Sequence, residues 1–564
     1  MVALDVKQLP DENLVRVKIP GSGTIKLFRG SKAGEAMRFD TAARSSPVVA
    51  VKINNSMEDI TTEIVEECNL EFIDLESEEG MRVYQSGLIM VLNRAALEVF
   101  PECSVVVEHS LGNAIYGEIR LKRALRHSDI EKIEKRMRAI INGGGIFERR
   151  MISREEAVNL FKEKGMRDKV DLLSYWGSSP VVIVKCGDYY DYTLGAVVPD
   201  VNILKVFRLK FYLPGFILEL PRKEKPLYLP SYVEQGKLSN VFFEAGKWER
   251  ILRIRDSVEL NRAVEKGEAG DLIRVAEAFQ EKKISQIADE ITNNIDRTRI
   301  VLIAGPSSSG KTTFSQRLAV QLRVNGINPV AISLDDYFVD RERTPLDEDG
   351  QYDFESLDAI DRDLFNDHLI KLIQGEEIEL PSYNFKTGMR EYNNRILKLG
   401  RYDLIIVEGI HGLNDRLTTS IPKGKKFKIY VSALTHLSLD NQKRIHTTDL
   451  RLLRRLVRDN NYRGYHADKT LERWPSVRRG EEKNIFPFQE EADIMFNSAL
   501  VYELAILKEH AEPLLEGIER DSSQYSEARR LLRILSFFNG IEHVLVPSNS
   551  ILREFVGESC FYKV

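Results

Sequence analysis

The segment around residue 305 constrains this 564-residue chain more than any other. An apolar run at 300–304 precedes the sequence GPSSSGKTT at 305–313, and an amphipathic pattern follows as far as about Gly326. A strand, a glycine-rich turn and a helix in this order surround a phosphate with backbone N–H groups and the positive end of a helix dipole. The full Walker A spacing therefore predicts a phosphate-binding loop in a parallel α/β sheet with helices on both faces. The alternative is an ordinary Gly/Ser turn.

The residue types of this loop predict a site for ATP and Mg²⁺. Gly305 and Gly310 allow the backbone to turn its N–H groups inward, and Lys311 is expected to neutralise β- and γ-phosphate oxygens. The hydroxyl of Thr312 suits Mg²⁺, and Thr313 lies on the α-phosphate side. The loop residues predicted to bind the nucleotide are Gly305, Ser307, Ser308, Ser309, Gly310, Lys311, Thr312 and Thr313.

Two later apolar runs end in acidic residues. Residues 329–334 lead into Asp335, and residues 404–407 lead into Glu408. Because ligands of parallel sheets collect at the carboxyl ends of strands, both acids are expected to face the bound triphosphate. We assign Asp335 as the general base for a hydroxyl acceptor and Glu408, with Thr312, to the metal. Alternatively, either acid caps the next helix or only ends a strand.

The sequence DLRLLRRLVRD at 449–459 predicts a helix with four arginines on one face. Such a face repels itself unless it meets an anion, and guanidinium groups suit a lid that closes over transferring phosphates. The arginines concerned are Arg451, Arg454, Arg455 and Arg458. In the alternative interpretation, Asp449 and Asp459 neutralise them as surface pairs.

Net charge and cysteine use exclude several classes of protein. With 81 basic and 86 acidic residues the formal net charge is −5, so any RNA contact must be local. The four cysteines lie far apart without a CxxC pair, which argues against a disulfide framework or a thiolate zinc site and favours a reducing cytoplasm. The N-terminus has no signal pattern, and no apolar run approaches the roughly 20 residues of a membrane span. We therefore expect a cytoplasmic protein without membrane contact.

Changes in residue pattern along the chain predict several segments. Two helix starts of the capping-box type, Ser128 with Glu131 and Ser153 with Glu156, fall in the second segment. The predicted organisation is a β-rich module at 1–70, an α+β domain at 71–225, a helical connector at 226–297, a phosphate-binding α/β domain at 298–500 and a C-terminal helical segment at 501–564.

Residues 299–498 resemble the uridine kinase and phosphoribulokinase family of P-loop phosphotransferases. GPSSSGKTT matches the family's loop, SLDDYF at 333–338 its catalytic aspartate motif, and DFESLDA at 353–359 the next segment. The resemblance implies transfer of a phosphate from ATP, with Mg²⁺, to a small nucleoside-like acceptor. It implies a catalytic group of Asp335, Lys311 and Arg451, phosphate contacts from Arg454, Arg455 and Arg458, and acceptor contacts from Glu355, Tyr383, Arg390 and Arg451.

Two departures from the family pattern concern the acceptor. Uridine-cytidine kinases usually read Tyr-Asp-Phe-x-x-His-x-Arg where this chain has YNFKTGMR at 383–390, so Gly388 replaces the base-reading histidine. Glu355 is one methylene longer than the usual aspartate. Because a polar site rejects ligands that leave its own groups unpaired, loss of the imidazole is expected to alter or relax pyrimidine recognition.

The N-terminal half resembles a second family. Residues 1–70 look like the small TGS module, and HSDIEKIEKRMRAIIN at 127–142 with FERRMISREEAVNLFKEKG at 147–165 resembles the editing domain of threonyl-tRNA synthetase. That domain uses HxxxH and a later Cys and His, whereas this chain has Ser86, Met90, Thr193 and Val197. None of these is a good substitute for a histidine or thiolate ligand, so we expect no zinc- or histidine-dependent editing. The domain is then expected to bind a ligand, RNA or a partner.

Two functions fit these observations. The first is an ATP-dependent kinase for a hydroxyl of a small sugar-containing acceptor. The second is a nucleotide-responsive regulatory protein that binds RNA or a partner through its N-terminal domains. Two isolated histidines, His411 and His446, either touch substrate or are structural. We also expect a homo-oligomer.

Overall fold

A mixed five-stranded sheet forms the first module of the structure, a computed structural model that describes residues 13–347, 350–400, 402–435 and 437–561. Residues 1–12 of the predicted module lie outside this range. The strands are β1 (Leu14–Ile19), β2 (Gly23–Phe28), β3 (Ser31–Lys32), β4 (Val48–Ile53), β5 (Ser56–Glu58), β6 (Glu63–Ile64) and β7 (Cys68–Asp74). The sheet order is β2-β1-β7-β4-β5, and β1 and β7 are parallel. Alternate residues of β1, Val15, Val17 and Ile19, enter the core, as a half-buried strand requires.

The second domain combines antiparallel sheets with a long buried helix. Its elements are α1 (Glu78–Val99), β8 (Ser104–Leu111), β9 (Ala114–Arg120), α2 (His127–Gly143), β10 (Glu148–Ile152), α3 (Arg154–Glu163), α4 (Arg167–Leu173), β11 (Val181–Cys186), β12 (Tyr189–Tyr192), β13 (Arg208–Tyr212) and β14 (Gly215–Glu219). One sheet has the order β13-β14-β9-β8 and the other β10-β11-β12. Leu88 and Leu92 of α1 share one core with Ile133 and Met137 of α2. The amphipathic pattern of α2 therefore faces inward as predicted.

The two predicted helix starts have different outcomes. Ser153 caps α3 as expected, because its hydroxyl accepts a hydrogen bond from the Glu156 amide at 3.2 Å and its own amide donates to the Glu156 carboxylate at 2.9 Å. The prediction at Ser128 was wrong, since α2 begins at His127 and its N-cap is Arg126, two residues before Ser128. The carboxylate of Asp129 accepts from the Arg126 amide at 3.0 Å. An acid inside the first turn thus replaces the hydroxyl cap.

A parallel five-stranded sheet forms the third part of the molecule. Three helices precede it: α5 (Gly236–Leu252), α6 (Ser257–Glu265) and α7 (Ala269–Asn293). The elements that follow are β15 (Ile300–Ala304), α8 (Lys311–Val324), β16 (Asn328–Ser333), α9 (Arg362–Ile373), β17 (Glu377–Asn384), β18 (Met389–Lys398), β19 (Asp403–Glu408), β20 (Lys426–Ser432), α10 (Thr447–Arg463), α11 (Ala467–Asn484), β21 (Ile494–Asn497), α12 (Glu503–Glu516), α13 (Tyr525–Leu535) and α14 (Arg553–Val556).

The order of this sheet places the predicted loop at its centre. The strands run β16-β19-β15-β20-β21, and every residue of β15 is buried, as expected for a strand covered on both faces. Phe314 and Leu318 of α8 pack on one face, and Phe365 and Leu369 of α9 pack on the other. The predicted fold class, a parallel α/β sheet preceded by a β-rich module and an α+β domain, is confirmed. Among the residues described here, no helix combines the length and apolar character needed to cross a bilayer.

A buried ionic cluster joins the second domain to the α/β domain. The ammonium of Lys169, on α4, lies 2.7 Å from the Asp191 carboxylate and 3.2 Å from that of Asp440. Lys443 also contacts Asp191, at 2.8 Å. Burial alone would lower the pKa of Lys169, but the charges of Asp191 and Asp440 raise it well above its usual value. Lys169 is therefore a buried cation that two carboxylates from different parts of the chain require.

Removing this cation is expected to destabilise the protein strongly. In Lys169→Met, Asp440 keeps its burial and loses a partner, so the free energy of unfolding should fall by about 3–5 kcal/mol. The measurement is urea denaturation of the full chain followed by tryptophan fluorescence. Lys122→Met is the control, because Lys122 pairs with Glu102 on the surface and its loss should change stability by less than about 0.5 kcal/mol. Equal effects of the two substitutions would contradict the structural role given to Lys169.

Candidate functional site

The loop at 305–310 connects β15 to α8 at the carboxyl edge of the parallel sheet. Ser308 and Gly310 have φ angles of 57° and 83°, in the left-handed region that turns successive N–H groups toward one side. The backbone also passes close to its neighbours, since a Cβ on Gly305 would lie 1.9 Å from the carbonyl oxygen of Val431. Glycine is thus required at 305 for space and favoured at 310 for conformation. The first N–H groups of α8, which have no carbonyl one turn earlier in the helix, begin at the same point.

Thr312 and Glu408 come together at the edge of the sheet. Glu408 ends β19, the strand next to β15, and the Thr312 hydroxyl donates to its carboxylate at 3.2 Å. Burial raises the pKa of Glu408 to about 7, against the opposing charge of Lys311. A hydroxyl and a carboxylate are the oxygen ligands that Mg²⁺ prefers, so this pair fits the ion that the sequence implied. The backbone N–H groups of the loop fit the phosphates that such an ion accompanies.

Asp335 lies on the neighbouring strand end. Asp335 follows β16 in a short 3-10 turn, Leu334–Tyr337, and is exposed to solvent. Desolvation by the surrounding site raises the pKa of its carboxyl, while the charge of Lys311 acts in the opposite direction. Lys311 exerts the same lowering effect on the pKa of Glu408 and of Glu355. One ammonium group therefore faces three carboxyl groups from separate segments.

Two arginines of α10 hold the loop through its carbonyl oxygens. Arg451 forms a buried ion pair with Glu481 of α11 and donates to the Ser307 carbonyl oxygen at 3.0 Å. The Glu481 carboxylate in turn accepts from the Ser307 N–H at 2.9 Å. Arg454 is completely buried, pairs with Glu503 at 2.6 Å and lies 3.4 Å from the Ser308 carbonyl oxygen. These side chains contact the loop backbone.

The remaining two arginines of the helix face share an acidic partner. Arg455 donates to the Ser307 hydroxyl at 2.8 Å and pairs with Asp459 at 3.2 Å. Arg458 lies 2.9 Å from the same carboxylate. Asp459 thus neutralises part of the face, as the alternative interpretation had it, whereas Asp449 pairs with Arg530 of α13 instead.

Three residues predicted to contact the acceptor, Glu355, Tyr383 and Arg390, lie outside the loop and α10. Burial and the nearby charge of Glu481 raise the pKa of Glu355 to about 7. Its side chain packs against Gly480, where an added Cβ would lie 2.7 Å from the Glu355 Cβ. Tyr383, at the end of β17, is buried, with its ring centroid 5.5 Å from that of Phe338. Arg390 of β18 is engaged by Asp361 at 3.0 Å and therefore holds the β17–β18 hairpin to the rest of the domain.

The positions of the lost editing ligands lie away from the loop. Ser86, Met90 and Thr193 line a cavity between the N-terminal domains and α13, while Val197 is buried and its N–H donates to Asp59 at 2.8 Å. Within the described part of the chain, no group of three or more His, Cys, Asp or Glu side chains is arranged to hold a metal ion. His446 lines the same cavity.

Sequence reasoning missed three acidic residues that hold the loop region: Glu481 and Glu554 accept from it directly, and Glu503 pairs with Arg454, which contacts the loop. The carboxylate of Glu554, on the short helix α14, accepts from both the N–H of Thr313 at 3.1 Å and its hydroxyl at 2.8 Å. The neighbouring Ile551 packs against Gly310, where a Cβ would approach its Cγ2 to 2.4 Å. No local pattern marks these positions, because each lies more than 100 residues from the loop atoms that it contacts or braces.

A family comparison agrees with this geometry. Residues 300–505 match the model of the Phosphoribulokinase / Uridine kinase family. The match includes the loop, Asp335, Glu408 and the whole arginine helix. Two solved structures also resemble the chain. A possible uridine kinase from Bacillus stearothermophilus is 21% identical and covers 37% of this chain and 97% of its own, with a TM-score of 0.22. A D-glycerate 3-kinase from Cryptococcus neoformans is 14% identical and covers 45% and 87%, also with a TM-score of 0.22.

The N-terminal region matches a different group of curated proteins. The threonine–tRNA ligase of Ehrlichia ruminantium (strain Gardel) is 32% identical over 162 residues, which are 28% of this chain and 26% of the relative. That of Coxiella burnetii is 28% identical over 195 residues, 34% of this chain and 30% of the relative. The chain therefore spans less than a third of the length of these relatives.

The contact between Glu554 and Thr313 predicts competition with nucleotide. The Glu554 carboxylate accepts from the Thr313 N–H and hydroxyl, so these two donors are not free for a phosphate. Its negative charge also repels an incoming phosphate. Glu554→Gln is therefore expected to tighten Mg-ATP binding about tenfold, measured by calorimetry on the full chain. Glu558→Gln is the matched control, since Glu558 is exposed and pairs only with Arg553 in the described structure. An unchanged or weaker affinity in Glu554→Gln would contradict this expectation.

The raised pKa of Glu355 predicts a pH-dependent stability. A carboxyl whose pKa in the folded state, about 7, lies above its unfolded value near 4.3 favours folding at low pH and loses that contribution as pH rises through 7. Relative to wild type, Glu355→Gln should therefore gain free energy of unfolding between pH 5 and pH 8. Urea titrations at several pH values measure this difference. Exposed Glu342→Gln should show a constant difference, and a constant difference for Glu355→Gln would refute the expectation.

Proposed function

We propose that the protein is an ATP-dependent phosphotransferase that delivers the γ-phosphate to a hydroxyl of a small, nucleoside-like acceptor. The observation that carries the proposal is the convergence of Lys311, Asp335 and Glu408 at one sheet edge, beside a loop whose N–H groups suit phosphates. The match of residues 300–505 to a kinase family supports the same activity.

Each residue has a defined task in this proposal. The loop N–H groups and Lys311 hold the β- and γ-phosphates, and Thr312 with Glu408 holds Mg²⁺, which supplies charge neutralisation when bound. The carboxylate of Asp335 accepts the proton of the acceptor hydroxyl as its oxygen attacks the γ-phosphorus. Arg455, which donates to the Ser307 hydroxyl, and Arg458, which shares Asp459 with it, are proposed to contact the transferring phosphate.

Arg451 and Arg454 take a supporting part in this scheme. Both bind carbonyl oxygens of the loop and both are paired with buried carboxylates. Their direct catalytic and phosphate contacts, expected from the sequence, remain a proposal. The contacts present in the structure support fixed loop geometry as their first contribution, because a preorganised loop needs no reorganisation when phosphate arrives.

The acceptor is proposed to differ from uridine in the part that contacts the β17–β18 hairpin. At Gly388 an added Cβ would lie 2.8 Å from Cζ of Arg341, so the Arg341 guanidinium fills the space beside this glycine. Arg341 also donates to the Phe385 carbonyl oxygen at 2.5 Å. A cation in place of a histidine favours a substrate that presents a hydrogen-bond acceptor atom or a negative charge on that side. Glu355 and Tyr383 are proposed to contact its sugar-like portion.

The second candidate, a nucleotide-responsive RNA- or partner-binding protein, rests on the N-terminal match to threonine–tRNA ligases. The two functions differ in whether bound ATP is consumed. In the second, the loop binds Mg-ATP without an acceptor, and the full chain binds RNA with an affinity that falls as salt rises.

Substitution of the proposed base separates binding from chemistry. Asp335→Asn should retain Mg-ATP affinity and lose at least about 10²-fold in turnover, because a neutral amide cannot take the hydroxyl proton. The assay is transfer from Mg-ATP to a panel of nucleosides and sugar phosphates, with Lys311→Ala as the control for contaminating kinases. Lys311-dependent turnover that survives in Asp335→Asn would exclude Asp335 as the base. ATP binding or hydrolysis without any acceptor would favour the second candidate.

A further inference from the structure

A cavity of about 740 Å³ lies where the N-terminal domains meet α13 and the segment before α10. Its walls come from β5, α1, β10, the strand end near Thr193, residues 439–449 and α13. This volume falls in the range of small-molecule sites in proteins. Because none of the loop residues 305–313 lines it, the cavity is separate from the proposed kinase site.

Basic residues from each part of the molecule line this cavity, and several of them are already paired. Arg82 contacts Glu527 at 3.1 Å, Arg530 contacts Asp449 at 2.7 Å, and Lys443 contacts Asp191. The acidic residues of the lining are Glu58, Glu79, Asp191, Asp449, Glu512, Glu516 and Glu527. These three pairs engage Glu527, Asp449 and Asp191, whereas Glu58, Glu512 and Glu516 form no ion pair with a basic residue of the lining in the described chain. Another set of cations remains.

Three arginines of the lining have no carboxylate within ion-pair distance in the described chain: Arg444, Arg529 and Arg533. Arg533 donates only to the Leu194 carbonyl oxygen, at 2.9 Å. Burial and the like charge of Arg529 lower its pKa. These two neighbouring residues of α13 therefore form a site where positive charge exceeds negative charge, although Glu58 lies near enough to offset part of it.

Arg444 gives the strongest indication that the cavity suits an anion. Its Nε is buried without a hydrogen-bond partner, and its Nη2 lies 3.2 Å from Nδ1 of His446. Burial lowers the pKa of Arg444 to about 10, while burial and the charge of Arg444 lower that of His446 to about 3. The histidine is thus neutral beside the arginine, and Asp449, whose charge acts on both side chains, is held by Arg530. A half-buried guanidinium whose buried Nε has no hydrogen-bond partner is costly unless an anion completes it.

We propose that this cavity binds a small metabolite carrying phosphate or carboxylate groups, with Arg444 on its buried side and Arg529 and Arg533 on its exposed side. The planar guanidinium groups match both kinds of oxyanion. The hydroxyl of Ser86, in the same lining, can contact the uncharged part of the ligand, whereas the hydroxyl of Thr193 is engaged by Gly195. The site draws on all three parts of the chain, which gives the N-terminal domains a ligand-binding role independent of kinase activity.

The test is calorimetric titration of the full chain with sodium pyrophosphate and, separately, with citrate at constant ionic strength. Lys311→Ala serves as the background, so that the phosphate-binding loop does not contribute. We expect saturable binding of at least one probe with one site per chain. The double variant Arg529→Gln/Arg533→Gln should weaken it at least about tenfold, and Arg444→Gln should do the same.

The controls distinguish binding in this cavity from nonspecific attraction of the probes to positive charge. Arg323→Gln removes an exposed arginine on α8 and should leave the affinity unchanged. Because Arg529 and Arg533 are exposed, their replacement should not disturb folding, which keeps the test valid if Arg444→Gln unfolds. Pyrophosphate binding alone identifies phosphate as the ligand group, and citrate binding alone identifies carboxylate. Failure of both probes to saturate, or equal weakening by Arg323→Gln, would overturn the proposal.

Discussion

Carboxylates from the C-terminal third of the chain hold the phosphate-binding loop. The Ser307 N–H donates to Glu481, and the Thr313 N–H and hydroxyl donate to Glu554. Hydrogen bonds to a charged acceptor contribute about 1.5–3 kcal/mol each, more than those between neutral groups. They fix a loop whose left-handed residues would otherwise be strained. The loop is therefore already held in a conformation in which its N–H groups donate to anionic groups.

The two carboxylates have different consequences for a bound nucleotide. Glu481 is tied to Arg451 in a buried pair, and this pairing lowers its pKa despite burial. It is a permanent part of the loop's support. Glu554 has no arginine partner in the described structure and occupies the hydroxyl and N–H that the sequence assigned to the α-phosphate side. ATP binding on this account requires Glu554 to leave, so the C-terminal helix and the nucleotide exclude each other at Thr313.

Local sequence was enough to predict one half of the site and not the other. The loop, Asp335 and Glu408 each sit where a strand ends, and the parallel sheet brings strand ends together without further information. The arginines of α10 were found by helical spacing, yet their partners Glu481 and Glu503 lie on other helices. Pairing of this kind depends on tertiary packing, and no spacing rule encodes it.

Contacts between distant segments were also not predictable in the N-terminal half or at the helix starts. Asp129 rather than Ser128 satisfies the start of α2, because the acid is also held by Arg123 at 2.6 Å, a contact outside the helix. The buried cluster around Lys169 joins residues more than 200 positions apart. Sequence patterns predicted the domains, but the contacts between them are visible only in the structure.

The most direct test of the central claim is a crystal structure of the full chain with Mg²⁺ and a non-hydrolysable ATP analogue. The account predicts phosphates on the loop N–H groups, Mg²⁺ between Thr312 and Glu408, and the Glu554 carboxylate moved away from Thr313. A nucleotide bound with Glu554 still in contact with Thr313, or bound elsewhere on the protein, would contradict it.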